Sequence, residues 1–277
     1  MKKLLITTSL LASLYTHSMA QVYYKLGFGQ GFTSAGQTAI FDQPYQGTIS
    51  YDQGTGKLST FNVKNVSFGA GTHAVISVGD MFGKHVGGEL SALIGIAPKK
   101  FKGTESFPYD ANVYENAGHT MYAHSGLIIN PSIVLQTAND FNLYTRIGLL
   151  LPLAINVNDD FSQRYSQMVS ADQVYTGRFE YKTMFGLGYS AALGFSLNLV
   201  SHVNLWAEGY MNSLSLDVKE AKLTKLEYNS RDILNQQSAS AKDIKYSKKS
   251  DASASSRFTF SIPFSSVGFR VGLSVSM

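Results

Sequence analysis

Five charged residues lie inside segments that otherwise alternate between apolar and small residues. They are Lys25, Glu89, Arg146, Glu208 and Arg270. In each segment the charge falls on the side of the alternation that also carries glycine or other small residues. Alternate side chains of a β-strand point to opposite faces, so all five are expected to face one interior. Unpaired buried charge is costly, and ion pairs are therefore expected there.

The positions of these charges predict which of them pair. Each lies roughly four to seven residues from the same end of its strand, so at a rise of about 3.3 Å per residue they form one layer. We expect Glu208 to pair with Arg270, and Glu89 to pair with Arg146 or Lys25. The layer has two interpretations: a plug that fixes the strand register, or a gated ion path or proton-binding site.

Residues suited to catalysis are sparse in this sequence. It contains no Gly-x-Ser-x-Gly elbow, His-Glu-x-x-His sequence or phosphate-binding glycine loop. His73, which we expect to join the charged layer, and His124, nearer the rim, face inward by parity. Ser125 then points to the opposite face from His124, which disfavours a nucleophile beside its base. Asp159 and Asp160 fall in a polar segment and are expected to be solvated. We therefore predict no enzyme activity, no cofactor and no metal site.

Eight segments have the alternation of strands, and the connections between them are long and short in turn. The segments cover about 22–29, 65–78, 84–96, 121–136, 141–153, 185–197, 203–214 and 265–277. The short connections, which predict hairpin turns, are 79–83, 137–140 and 200–203. Both ends of this strand-forming region and all the short turns then fall on one side.

This pattern predicts an all-β chain that forms a closed eight-stranded antiparallel transmembrane β-barrel. Short periplasmic turns at one end and four long extracellular loops at the other are typical of the outer membrane. The centres of the outward faces carry no charge, whereas a lipocalin-like soluble barrel has the reverse polarity. A water-soluble β-sandwich is the alternative.

The first twenty residues have the features of a secretory signal peptide. Lys2 and Lys3 precede a short apolar run, and Ser18, Met19 and Ala20 provide a cleavage site. The run is shorter than the roughly 20 residues that a spanning helix needs. We expect residues 1–20 to be removed, with an uncleaved anchor as the alternative, and 21–277 to form one barrel domain in the outer membrane.

Composition narrows the classes of partner. The net charge is +4 and the signal peptide holds two lysines and no acid, so the remainder carries about +2. This small charge, together with export, disfavours nucleic acid as a partner. The chain has no cysteine, which excludes disulfides and thiolate metal sites. Expected partners are outer-membrane lipids including lipopolysaccharide, the barrel assembly machinery and periplasmic chaperones, and the protein is expected to be a monomer.

Five short segments together resemble the outer membrane β-barrel proteins of Bacteroidetes, which are related in fold to small barrels of the OmpA/OmpX type. The segments are 23–27 (YYKLG), 83–90 (GKHVGGEL), 144–149 (YTRIGL), 206–208 (WAE) and 263–269 (PFSSVGF). The resemblance spans the chain after the signal peptide. It implies an outer-membrane location and an eight-stranded antiparallel barrel, and it implies little about biochemical role.

The resemblance also implies that the last strand is read by the assembly machinery. The outward residues that would form this signal are Phe269, Val271, Leu273, Val275 and Met277. Such barrels usually end in Phe or another aromatic residue, whereas this chain ends in Met277.

Together these features predict a structural or surface-binding role through the long extracellular loops. The segment from Ser215 to Phe264 is the best candidate for a binding surface. One alternative is a small pore or transport protein, which would need a continuous wet lumen. The other is a lipid-modifying enzyme of the outer membrane.

Overall fold

The computed structural model describes residues 21–34, 46–52, 57–64, 66–110, 113–137, 141–167, 173–248 and 256–277. The strands in these ranges are β1 (Gln21–Thr33), β2 (Gln46–Tyr51), β3 (Leu58–Lys64), β4 (Gly71–Met81), β5 (Val86–Pro98), β6 (Phe101–Asp110), β7 (Val113–Gln136), β8 (Phe141–Gln167), β9 (Gln173–Thr183), β10 (Gly188–Val200), β11 (Val203–Ser213), β12 (Ser215–Tyr228), β13 (Arg231–Asp232), β14 (Asp243–Ser247), β15 (Ser256–Phe258), β16 (Ser261–Pro263) and β17 (Ser266–Ser276). A 3-10 turn (Leu234–Gln236) and a short helix, α1 (Ala239–Lys242), precede β14. Within the described ranges, no helix is long and apolar enough to cross a membrane.

Eight of these strands close into a ring. Around the ring the order is β1, β4, β5, β7, β8, β10, β11 and β17, and β17 pairs again with β1. Every pairing in the ring is antiparallel, and the order follows the chain, so the barrel is an up-and-down meander. The predicted closed eight-stranded antiparallel barrel is confirmed.

The outer surface of the ring is apolar. Its exposed side chains include Leu26, Ile76, Ile147, Leu193 and Leu273, each at least 50% exposed. Because strand residues alternate between the two faces, their sequence neighbours point into the lumen. The five outward residues predicted for the last strand all lie on this exposed face. Their role in assembly remains a prediction.

Glycines on the inner face of β1 make room for large lumen side chains. A Cβ at Gly27 would overlap the indole ring of Trp206, and one at Gly29 would overlap Arg270 and His73. This glycine-rich stretch is therefore part of the lumen wall, as its small side chains predicted.

The two ends of the barrel differ in structure. At the turn end lie the start of β1, the end of β17 and short turns at 82–85 and 201–202. In the second turn His202 has a φ of 68°. The third short turn, predicted at 137–140, lies outside the described residues except for Thr137. The four long connections lie at the opposite end, which we call the sheet end.

The long connections are built largely from strands rather than loops, which corrects the sequence-based expectation. Beyond the ring, strands pair in the order β3-β2-β6-β7-β8-β9-β12-β14-β15. We call this the outer sheet. Much of it is polar, so its segments lack the clear period of two that marks the ring strands.

The hairpin of β7 and β8 belongs to both the ring and the outer sheet. These strands contain 24 and 27 residues, and they pair from the ring into the outer sheet. Their register shifts between Ala123 and Ser125 and again between Leu127 and Ile128. Such bulges bend and twist a hairpin locally, and here they lie between its two regions.

The second predicted strand begins later than expected. It was placed at 65–78, but β4 starts at Gly71, whose φ is 119°. Glycine adopts this conformation without a steric penalty, and the chain changes direction there. Val66 and Phe68 are consequently buried inside the sheet end of the lumen instead of facing outward with Ile76.

Candidate functional site

The predicted charges meet in one layer of the lumen. Glu89 organises the first half of this layer. Lys25 Nζ lies 2.8 Å from Glu89 Oε2, and Arg146 NH1 lies 2.8 Å from Oε1. Tyr23 donates a hydrogen bond to Oε2 at 3.0 Å, and Ser91 donates one to Oε1 at 2.8 Å. Both cations that the sequence offered as alternative partners of Glu89 therefore contact it.

Glu208 organises the second half of the layer. Its Oε1 accepts hydrogen bonds from Arg146 NH2 at 2.6 Å and from Arg270 NH1 at 3.0 Å. Its Oε2 accepts one from the Tyr144 hydroxyl at 3.1 Å. The predicted pairing of Glu208 with Arg270 is present, and Arg146 bridges the two carboxylates. The charges thus form one series of alternating sign, listed in order as Lys25, Glu89, Arg146, Glu208 and Arg270.

His73, the sixth predicted residue of the layer, contacts the end of this series. Arg270 Nε donates a hydrogen bond to His73 Nε2 at 2.9 Å. A ring nitrogen that accepts from a guanidinium carries no proton, so His73 is neutral in this arrangement. The Arg270 guanidinium also lies 3.7 Å from the centre of the Tyr210 ring. The layer therefore holds three cations and two carboxylates.

Aromatic rings enclose the lysine at the other end of the series. Lys25 Nζ lies 4.6 Å from the ring centre of Tyr144, 5.0 Å from that of Tyr23 and 5.7 Å from that of Trp206. Cations are attracted to the faces of such rings. The sequence analysis did not assign these aromatics to the site, although each lies two residues before a lumen charge and so shares its face.

Apolar side chains fill the lumen between the charged layer and the outer sheet. Phe68 packs against Phe101 and Phe264, with ring centres 5.4 and 5.8 Å apart. The backbone N–H of Phe68 donates to Pro263 O at 2.8 Å, which ties together two of the long connections. A cavity of about 80 Å³ separates this apolar cluster from Arg270. Side chains therefore occupy the lumen at two successive levels.

A much larger space lies beyond the ring, against the outer sheet. This cleft has a volume of about 1000 Å³. Its floor includes Met121, Asp159, Phe179 and Leu223, which are successive cross-strand partners on β7, β8, β9 and β12. The next row of cross-strand partners on the same face adds His119 and Phe161 to the lining of the cleft. Six aromatic side chains line the floor and walls together: Phe161, Tyr175, Phe179, Tyr181, Tyr246 and Phe260.

Asp159 is a buried acid in the floor of this cleft, where the sequence predicted a solvated one. Asp159 is 8% exposed, and its Oδ1 accepts no hydrogen bond from the described residues. The nearest ionisable partner is His119, whose Nδ1 is 3.9 Å from Oδ1. Burial, reinforced by the neighbouring Asp160, raises the pKa of Asp159 to about 7, and burial lowers the pKa of His119.

Asp160 points away from the cleft and is only half exposed. Its carboxylate accepts hydrogen bonds from Arg178 Nε at 2.5 Å and from Arg178 NH2 at 3.2 Å. The two adjacent acids therefore differ in environment because successive strand residues face opposite sides. No local pattern in the sequence predicts this difference, since the residues that bury Asp159 come from distant parts of the chain.

The structure says less about the other residues that the sequence offered as site candidates. The side chains of His124 and Ser125 lie outside the described part of the structure. In the described ranges, no group of three or more His, Cys, Asp and Glu side chains could hold a metal ion. The segment from Ser215 to Phe264, predicted as a binding surface, supplies part of the cleft lining through Leu223, Tyr246 and Phe260.

Comparisons with known proteins identify no family for this chain. No family model and no curated protein matches it. A solved structure that it resembles is that of the outer membrane protein OprG from Pseudomonas aeruginosa. The identity is 10% and the TM-score 0.43, over 94% of this chain and 97% of that one. A likeness this weak decides neither fold nor function, and the barrel assignment rests on the strand pairing.

Replacement of Glu208 by Ala should destabilise the barrel strongly. Arg146 and Arg270 would lose the carboxylate they share, and a buried charge left without its partner costs about 3–5 kcal/mol. Urea unfolding in lipid vesicles, followed by the fluorescence of the buried Trp206, measures the change. The matched control is Glu220→Ala, which removes an exposed ion pair with Lys182 and should change stability little. Equal effects of the two substitutions would contradict the role of the layer.

Replacement of Asp159 by Asn should change how stability depends on pH. The native pKa of about 7 lies above the unfolded value near 4, so the native protein binds the extra proton, and stability falls as pH rises between the two values. The variant should lose this fall and be more stable than wild type at about pH 8, by on the order of 1–4 kcal/mol. Thermal unfolding followed by near-ultraviolet circular dichroism tests this. An identical pH dependence of stability in wild type and variant between about pH 5 and pH 8 would refute it.

Proposed function

We propose that this chain is an integral outer-membrane protein whose barrel is closed and whose outer sheet binds a ligand at the cell surface. The observation that carries the proposal is the contrast between lumen and cleft. The lumen is filled by a charged layer and an apolar cluster, whereas a cleft of about 1000 Å³ lies beyond the ring.

The apolar outer surface of the ring supports a membrane location. Large apolar side chains exposed around a closed barrel would be costly in water and are suited to lipid hydrocarbon. The signal peptide predicted at 1–20 lies outside the described residues and forms part of this proposal. So do the resemblance to Bacteroidetes barrels of the OmpA/OmpX type, the monomeric state, and the partnership with lipopolysaccharide, periplasmic chaperones and the assembly machinery.

Two levels of filling in the lumen favour surface binding over transport. Arg146 and Glu208 are 2% and 5% exposed, and Arg146 bridges Glu208 on β11 to Glu89 on β5, on the opposite side of the ring. Ions would have to displace these paired charges and then pass the buried Phe68 and Phe264. Lipid modification by an enzyme is the less favoured alternative, for which the cleft offers Asp159 with His119 3.9 Å away.

Conductance in planar lipid bilayers should distinguish a closed barrel from a pore. We expect no steady conductance from the wild-type protein, because side chains occupy its lumen at two levels. A triple variant, Phe68→Gly, Glu208→Gly and Arg270→Gly, should conduct if it folds, since it removes large groups from both levels. Leu273→Gly, which alters only the outward face, is the matched control and should remain silent. Steady wild-type conductance would favour the transport alternative.

Orientation in the membrane can be tested with single cysteines, because the chain has none of its own. Ser240→Cys would place a thiol in α1 at the sheet end, and Lys84→Cys would place one in a turn at the opposite end. Both positions are exposed. An impermeant maleimide applied to intact cells should label only the variant at Ser240, and both variants after lysis. Labelling of only the variant at Lys84 on intact cells would reverse the proposed orientation.

A further inference from the structure

The cleft against the outer sheet combines one buried acid with many aromatic rings. Asp159 lies in its floor, with Phe179 as its cross-strand partner and Phe161 two residues along the same face. The rings of Phe161 and Phe179 are stacked, with their centres 5.4 Å apart. Carboxylates and aromatic faces both attract cations, and together they form the usual recognition surface for organic ammonium groups.

The acid lacks a cation from the protein itself. Among the described residues, no lysine or arginine lies within 4 Å of its carboxylate, and Oδ1 accepts no hydrogen bond. The titratable or charged groups around it are His119 on β7, Asp160 on its own strand, Glu105 on β6 and Arg257 on the wall. The cross-strand row that contains Asp159 continues through Phe179 to Leu223 on β12, which carries no charge. An oxygen in this setting would accept a hydrogen bond from a cationic donor that enters the cleft.

Three further rings, those of Tyr181, Tyr246 and Phe260, form one wall of the cleft and provide a surface for an apolar group. Tyr181 and Tyr246 each pack edge-on against Phe260, with ring centres 5.7 and 5.5 Å away. These rings and Leu226 line a space large enough for a small organic molecule. A ligand with a charged end and an apolar body therefore matches both parts of the cleft.

We propose that the cleft binds an organic ammonium ion, with its charged nitrogen at Asp159 and its apolar body against the aromatic wall. This inference rests on the proposed surface-binding function and names the class of ligand for that site. The ammonium N–H groups donate to the carboxylate, and the neighbouring rings of Phe161 and Phe179 stabilise the positive charge.

Binding of a simple probe to the full-length protein in lipid nanodiscs tests this assignment. Phenethylamine is the probe, with 2-phenylethanol as its neutral analogue and 3-phenylpropionate as its anionic analogue, and isothermal titration calorimetry gives the affinities. At about pH 8 the amine should bind about tenfold or more tightly than the alcohol, because its N–H groups donate hydrogen bonds to a charged carboxylate. The propionate should not bind.

Two single substitutions assign the effect to one carboxylate. Asp159→Asn should reduce amine affinity to that of the alcohol, while its heat-modifiability in detergent shows that it still folds. Asp160→Asn, the matched neighbour on the opposite face, should keep the amine preference. In the wild type, amine affinity should fall about tenfold or more between about pH 8 and pH 5.5, because the acid becomes protonated.

The outcomes separate this inference from the proposed function. Equal binding of amine and alcohol, or an unchanged amine preference in Asp159→Asn, would overturn the ammonium assignment while leaving a surface-binding cleft. No binding of the amine at millimolar concentration would also overturn it. None of these three results affects the proposal of a closed barrel, which is contradicted only if the wild-type protein conducts.

Discussion

The carboxylate of Glu208 is the contact on which the lumen depends. It lies on β11 and accepts hydrogen bonds from arginines on β8 and β17. Through Arg146 and Glu89 the same series reaches β5, and through Lys25 it reaches β1. An eight-stranded barrel is too narrow to hydrate these groups fully. Because positive and negative side chains alternate across the lumen, each carboxylate lies between two cations.

This filling of the barrel places the space available for a ligand outside the ring. The charged layer occupies the part of the lumen toward the turn end, and residues 66–70 with β16 bring apolar side chains into the part toward the sheet end. The same long connections that fill the lumen also build the outer sheet and the walls of its cleft. Closure of the barrel and construction of the cleft are therefore two results of the same polypeptide segments.

The sequence predicted the ring well because lumen and outside impose opposite demands on alternate residues. Small or charged residues such as Gly27 and Arg146 face in, and large apolar residues such as Leu26 and Ile147 face out. The outer sheet could not be predicted in this way, because its strands have no uniformly apolar face. The burial of Asp159 depends on cross-strand neighbours such as Met121 and Phe179, which lie about 40 and 20 residues away in the chain. No local pattern reveals that environment.

The long hairpin of β7 and β8 has a mechanical consequence, because the same two strands pair in the ring and in the outer sheet. At a rise of about 3.3 Å per residue, the 27 residues of β8 measure roughly 90 Å along the strand, so the hairpin connects the cleft to the barrel through continuous backbone. The register shifts near Ala123 and Leu127 are the places where it can bend. Any force applied to the cleft, by a bound surface or by flow, would therefore be transmitted directly into the barrel wall.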